Sequence, residues 1–395
     1  MKKYPQIKKS PIFFILLAAF LVACGLSAPK QTPKSEPSPQ MMNPPSQIAQ
    51  EHLQLPAPLY YLQAGQIWRL DTNAQTQQQI THETSPIVSF DVSPAHGKLA
   101  YIVENSLVTV DADGKNRVVL RAGADLLLQP DPIARFNQAE FIESALRTPL
   151  WSPDGGQIAF IENGLMVLDL DTNQAVLIWP QAITSSEPIL FENVLSWSPN
   201  GSYLLVSQYP YPIESLYQRT LSVLQLDGPL YRGVAPSTQV TFAWSLNTHS
   251  LFLANALDGS DQSLMHCDPE TMQCRLIAEY EPGRWDYFYA FPFVNTDERL
   301  LVFMSASENP SQPPDVFTLT SLRLDGSERT TLRSDGYLVD RALWSRDGRG
   351  VVITLEQDAG GHPAGSMLWL GVENEPAHPL PVMDASNLRW GKPGK

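Results

Sequence analysis

The chain has 395 residues, 43% of them hydrophobic and nine of them Trp, a composition that permits a large core and excludes a disordered chain. Only 17% of residues are charged, and the formal net charge is −14. An acidic chain without clustered Lys and Arg excludes binding to a nucleic-acid backbone and gives no electrostatic pull towards anionic lipid headgroups.

Residues 1–23 read as a signal peptide: Lys2, Lys3, Lys8 and Lys9 precede the apolar run Ile12 to Val22, too short to span a bilayer comfortably. The run ends in Leu21-Val22-Ala23-Cys24, which is similar to the bacterial lipobox. That resemblance implies that Cys24 is the acylated first residue of an exported protein, anchored to a membrane by its acyl chains, palmitate among them. The alternative is an ordinary signal peptide with an incidental cysteine. Residues 24–58 then form a tether, with Pro29, Pro33, Pro37, Pro39, Pro44, Pro45, Pro56 and Pro58 among Ser, Gln and Lys. Such a segment favours extended conformations at about 3 Å per residue.

Residues 59–395 form the folded domain. Leu59 to Leu62, Gln66 to Asp71 and Gln78 to Thr81 read as three strands without a strand before them. A repeating unit follows, clearest in Leu150-Trp-Ser-Pro-Asp-Gly155 before the apolar run Ile158 to Ile161. Trp151 ends a strand, Pro153 has no N–H to continue its ladder, and Asp154-Gly155 supplies a tight turn. An unbroken apolar run is the pattern of a strand buried on both faces. Other copies open at Val88, Leu195, Phe242, Phe291 and Ala342, and Trp151, Trp197, Trp244, Phe293, Trp344 and Trp390 are about 46 to 51 residues apart. Behind each lies a second element, such as Val108-Thr-Val-Asp-Ala-Asp-Gly114 or Ser321-Leu-Arg-Leu-Asp-Gly326, and then a further short strand. Four strands at this period make one propeller blade.

Trp-Ser-Pro-Asp-Gly followed by Ile-Ala-Phe, then Asp-Ala-Asp-Gly, resembles the repeats of TolB-type, WD-repeat-like bacterial β-propellers over residues 59 to 390. TolB itself carries an α/β domain before its propeller, and here only the Pro-rich tether occupies that place. The expected fold is all-β: a single propeller of four-stranded blades, seven by this count, with six as the alternative common among TolB-type relatives. Asn387 to Trp390 is expected to close the ring as the inner strand of the blade begun by the first three strands, which removes exposed edges.

The recurrent Trp residues read as packing between blades, and Asp154 and its counterparts as turn residues. Asp111, Asp113 and Gly114 resemble the start of a calcium loop without its later acidic ligand, so a hairpin turn is expected. Cys267 and Cys274 flank the turn between two outer strands and are expected to pair as a disulfide in an exported protein, with two free thiols as the alternative. No cofactor or metal is expected: the seven His are scattered, and no P-loop, Rossmann glycines, nucleophile elbow or His-Glu-x-x-His occurs.

Loop length is asymmetric. Links between first and second and between third and fourth strands are tight turns on one face of the ring. The long insertions belong to the other face: Arg121 to Thr148, with a short helix expected around Pro132 to Ala145, then Gln208 to Thr220, Glu279 to Ala290, Ser305 to Asp315 and Gln357 to Ser366. They carry Tyr209, Tyr211, Tyr217, Arg284, Trp285, Asp286, Tyr287 and Tyr289, residue types enriched at binding hot spots. These form a candidate ligand surface, or else buried plugs under long loops. The resulting reading is a lipid-anchored, extracytoplasmic binding or scaffold module for a protein, peptide or glycan at the cell envelope, more a binder than an enzyme. The competing reading is a hydrolase or lyase acting on an envelope or extracellular polymer through carboxylates at the loop-rich face.

Overall fold

The structure is a computed structural model, and it describes residues 53–123, 145–180, 189–210, 219–228, 231–236, 240–247, 249–254, 264–271, 273–278, 287–306, 316–356, 361–373 and 375–394. The expected signal peptide, Cys24, most of the tether and the helix expected from Pro132 onwards lie outside these residues.

Twenty-eight strands form seven four-stranded antiparallel sheets. The chain enters through β1 (Leu59–Gln63), β2 (Gln66–Leu70) and β3 (Gln77–Gln79). Blade 1 is β4 (Ser89–Val92), β5 (Leu99–Val103), β6 (Ser106–Val110) and β7 (Val118–Ala122). Blade 2 is β8 (Arg147–Trp151), β9 (Gln157–Ile161), β10 (Gly164–Asp169) and β11 (Gln174–Pro180). Blade 3 is β12 (Ile189–Trp197), β13 (Tyr203–Pro210), β14 (Thr220–Gln225) and β15 (Tyr231–Pro236). Blade 4 is β16 (Thr241–Trp244), β17 (Leu251–Ala254), β18 (Leu264–Cys267) and β19 (Cys274–Ala278). Blade 5 is β20 (Tyr287–Val294), β21 (Arg299–Ala306), β22 (Thr318–Arg323) and β23 (Thr330–Thr331). Blade 6 is β24 (Val339–Trp344), β25 (Gly350–Leu355), β26 (Ser366–Gly371) and β27 (His378–Met383). The last strand, β28 (Ser386–Trp390), pairs with β1 and completes blade 7. The ring is therefore seven-bladed and closed by its C-terminal strand.

The core is divided. Each interface between consecutive blades holds its own hydrophobic cluster, so packing couples each blade to its two neighbours. Second strands such as β5, β17 and β25 are buried along their whole length, as their unbroken apolar runs require. Trp151, Trp197, Trp344 and Trp390 are buried at these interfaces. Three of them also bond the preceding blade: Trp197 Nε1 donates to Leu150 O (3.1 Å), Trp344 Nε1 to Phe291 O (2.9 Å) and Trp390 Nε1 to Trp344 O (2.7 Å). Burial of the ring and satisfaction of its one donor are thus met together.

The tight turns owe their form to Ser as much as to Asp and Gly. Ser152 Oγ accepts from Gln157 N (2.9 Å) and donates to Asp154 Oδ1 (2.5 Å), which in turn accepts from Gly156 N (3.0 Å). Ser198, Asn200 and Tyr203 repeat the pattern, and Ser345 holds Gly350 N in the same way.

Several boundaries differ from the expected ones. The third and fifth blades begin earlier, at Ile189 and Tyr287, because bulges let their inner strands run on past a break in the ladder. β13 runs to Pro210, so Tyr209 lies on a strand, and Tyr287 and Tyr289 are likewise strand residues of β20.

Candidate functional site

Antiparallel order within each blade sends the links between first and second and between third and fourth strands to one face. The remaining links emerge on the opposite face, and the long ones, from β7 to β8, β13 to β14, β19 to β20 and β21 to β22, all belong to it. The loop-rich ends of blades 1 to 3 gather a set of partly buried charges on that face.

Glu192 is their centre. In β12, Phe191 pairs with Gln208 and Asn193 with Ser207, so Glu192 is the extra residue of a bulge, a device that re-aims a side chain. Its carboxylate is buried, accepting from Ser207 Oγ and from Arg219 NH2, each at 2.8 Å. The Arg219 guanidinium lies 5.9 Å from the centre of the Tyr209 ring, within cation–π range. Burial pulls Arg219 down, but the charge of Glu192 outweighs it and holds the guanidinium more firmly protonated. Burial, then the Glu192 charge, pushes the Tyr209 hydroxyl up. In the neighbouring blades the buried Glu162 pairs with Arg121, and the buried Arg147 donates to Phe191 O (3.0 Å). Ion pairs fixed in this way present a rigid pattern of charge, suited to recognising a polar partner.

At the opposite ends of the inner strands, Asp91 accepts from Arg389 Nε and from Trp151 N, each at 2.8 Å. Burial pushes its carboxyl up, against the opposing pull of Arg389. This group joins blades 1, 2 and 7, a structural role.

Of the aromatic residues expected to form a ligand surface, Tyr209 alone is brought to the Glu192 group, and it lies beneath it, 2% exposed. Tyr289 is 1% exposed between blades 4 and 5, its hydroxyl accepting from Arg329 NH2 (3.1 Å). Both are buried supports, because each sits on an inward-packed strand position. Tyr287 opens β20, whereas Tyr211, Tyr217, Arg284, Trp285 and Asp286 lie outside the described residues. Glu192, Arg219, Glu162 and Arg121 were not anticipated; the available signal was an acid within or directly after an apolar run, Leu190-Phe-Glu192 and Phe160-Ile-Glu162.

Cys267 and Cys274 stand opposite each other on β18 and β19, their sulfurs bonded at 2.03 Å. Among the described residues no group of three or more His, Cys, Asp or Glu is placed to hold a metal ion. Asp111 to Lys115 is a hairpin turn in which Asp113 accepts from Lys115 N and Lys115 Nζ.

No family model and no curated protein matches the sequence. Solved structures do match in shape. A functionally unknown protein from Desulfotomaculum acetoxidans is 10% identical, with a TM-score of 0.54 over 86% of this chain and 100% of that one. Oligogalacturonate lyase from Vibrio parahaemolyticus is 10% identical, with a TM-score of 0.53 over 82% and 83%. TolB from Acinetobacter baumannii, 12% identical over 83% and 79%, reaches only 0.43, a likeness too loose to carry an argument. At such identities the likeness is one of fold, and this chain is an all-β, seven-bladed propeller.

Proposed function

We propose that the protein is a lipid-anchored, extracytoplasmic propeller that binds a protein, peptide or glycan partner on its loop-rich face. The observation that carries the reading is the concentration of long links on one face of a rigid ring. Elaborated loops on a fixed scaffold are where recognition resides. The charged group built on Glu192 and Arg219 lies on the same face and supplies polar recognition beside the aromatic loops. The lipobox-like Leu21-Val22-Ala23-Cys24 supports membrane anchorage, and Pro-rich residues 24–58 support display away from the bilayer.

Chemical cross-linking in native membranes, followed by recovery of the protein, tests the reading. The native chain is expected to retain a specific partner, and replacement of 279–286 by a short Gly/Ser link is expected to lose it while the ring still melts cooperatively. Retention of the same partner by that variant would place binding elsewhere. Turnover of an envelope polymer by the purified chain would replace this reading with the hydrolase or lyase one.

A further inference from the structure

Six of the seven outer strands are unsuited to pairing with another chain. β3 and β23 are three and two residues long, and β27 carries Pro379 and Pro381. β7 is preceded by Arg117 and contains Arg121, β15 contains Arg232 and Gly233, and β19 contains Arg275. Short strands, proline and charge are the usual means by which an exposed sheet edge avoids pairing. Blade 2 lacks them. Its outer strand β11, Gln-Ala-Val-Leu-Ile-Trp-Pro, has seven residues, no charge, and proline only at its end. Val176 is 56% exposed and Leu177 45%. Consecutive residues point to opposite faces of a sheet, so the strand stands proud of its surroundings on both. Among the described residues no strand pairs with its outer edge.

From this edge we propose that two copies of the chain associate through β11, strand against strand, in antiparallel register about Val176. In that register Val176 meets its own counterpart, Ala175 meets Leu177, and Gln174 meets Ile178. Charge selects both occupant and direction. Asp169 and Asp171 lie in the turn at the start of β11, in a chain of net charge −14. Parallel pairing would set these acids side by side, whereas antiparallel pairing sends them to opposite ends of the joint. An uncharged strand meeting itself raises no repulsion of its own. The joint buries Val176 and Leu177 and merges two four-stranded sheets into one of eight. A two-fold axis across the strands also reverses the ring, so the two loop-rich faces point in opposite directions.

Sedimentation velocity of the purified full chain across a concentration series tests the proposal. The native chain is expected to shift reversibly from monomer to dimer. A Val176→Lys, Leu177→Lys variant is expected to remain monomeric with unchanged melting. Independently, Val176→Cys is expected to give a covalent dimer under mild oxidation, mapped by peptide mass to position 176 of both copies, whereas Val118→Cys on β7 is expected to give none. A native chain that stays monomeric, a dimer that survives the double Lys variant, or equal cross-linking from both cysteine positions would overturn the proposal. Should the Lys variant fail to fold, the cysteine pair still decides.

Discussion

Asp91 and Arg389 are 298 residues apart in sequence and 2.8 Å apart in space, and their contact bridges the first complete blade and the strand that closes the ring. Removing the guanidinium leaves a buried carboxylate held only by Trp151 N. Because Arg389 retains partial solvent access, Arg389→Ala is expected to cost about 2–3 kcal/mol, below the range for fully buried pairs. Urea denaturation checks the value, and an unchanged midpoint would show that the contact does not hold the ring closed.

Asp91 also makes stability depend on pH in a definite direction. Burial raises its carboxyl above the ordinary 3.8, so the folded chain binds this proton more tightly than the unfolded chain. This group's contribution is therefore fullest below 3.8 and falls as pH rises through its raised folded value. Melting temperature is expected to show that component between the ordinary and the raised value in the native chain. Asp91→Asn is expected to lack it, and identical pH profiles would assign the dependence to other groups.

Deleting residues 385–395 removes β28, with Leu388 and Trp390 from the interface between blades 6 and 7. It also exposes the edge of β1. Calorimetry of the truncated chain is expected to show a much lower melting temperature or no cooperative transition. A transition matching that of the full chain would mean that closure contributes little.

Gly326 has φ +87° and lies where a Cβ would collide with Ile277 O of the preceding blade. Backbone cannot yield as a flexible side chain does, and positive φ adds strain for any other residue. Gly326→Ala is therefore expected to destabilise by about 2–4 kcal/mol. Gly361, also at positive φ but with nothing near its Cβ position, is the control and is expected to lose about 1 kcal/mol. Thermal melts of the two variants test the difference.

Cys267 and Cys274 close a short loop, for which a disulfide contributes about 2 kcal/mol. Intact mass under non-reducing conditions, with and without alkylation, is expected to show no free thiol at either position. Alkylation of both in the unreduced, denatured chain would refute the bond.

The ring was legible because its signals are local and repeated. Trp-Ser-Pro-Asp-Gly states where a strand stops and how it turns, and the apolar run after it states that the next strand is covered on both sides. The closing pair of β1 and β28 was legible by subtraction, three strands at one end and one at the other. The charged group was not. Glu192 is aimed by a bulge, and a bulge depends on how two strands register in space, which the residues around Phe191 do not announce. Arg219 meets it from 27 positions away. Tyr209 and Tyr289 were open to two readings, since an aromatic beside a long link fits a support under it or a surface on it. Burial places both among the supports.

The division of the core into one cluster per interface bears on how the molecule comes apart. In an open row of modules, a terminal unit detaches when a single joint fails. In a circle, failure of one joint frees nothing, because every module is still gripped from its other side. Liberating one requires two neighbouring ruptures to coexist before the first reseals, so escape is rare even where each joint alone is modest. The resilience of this protein should accordingly be read in its unfolding rate more than in its equilibrium midpoint.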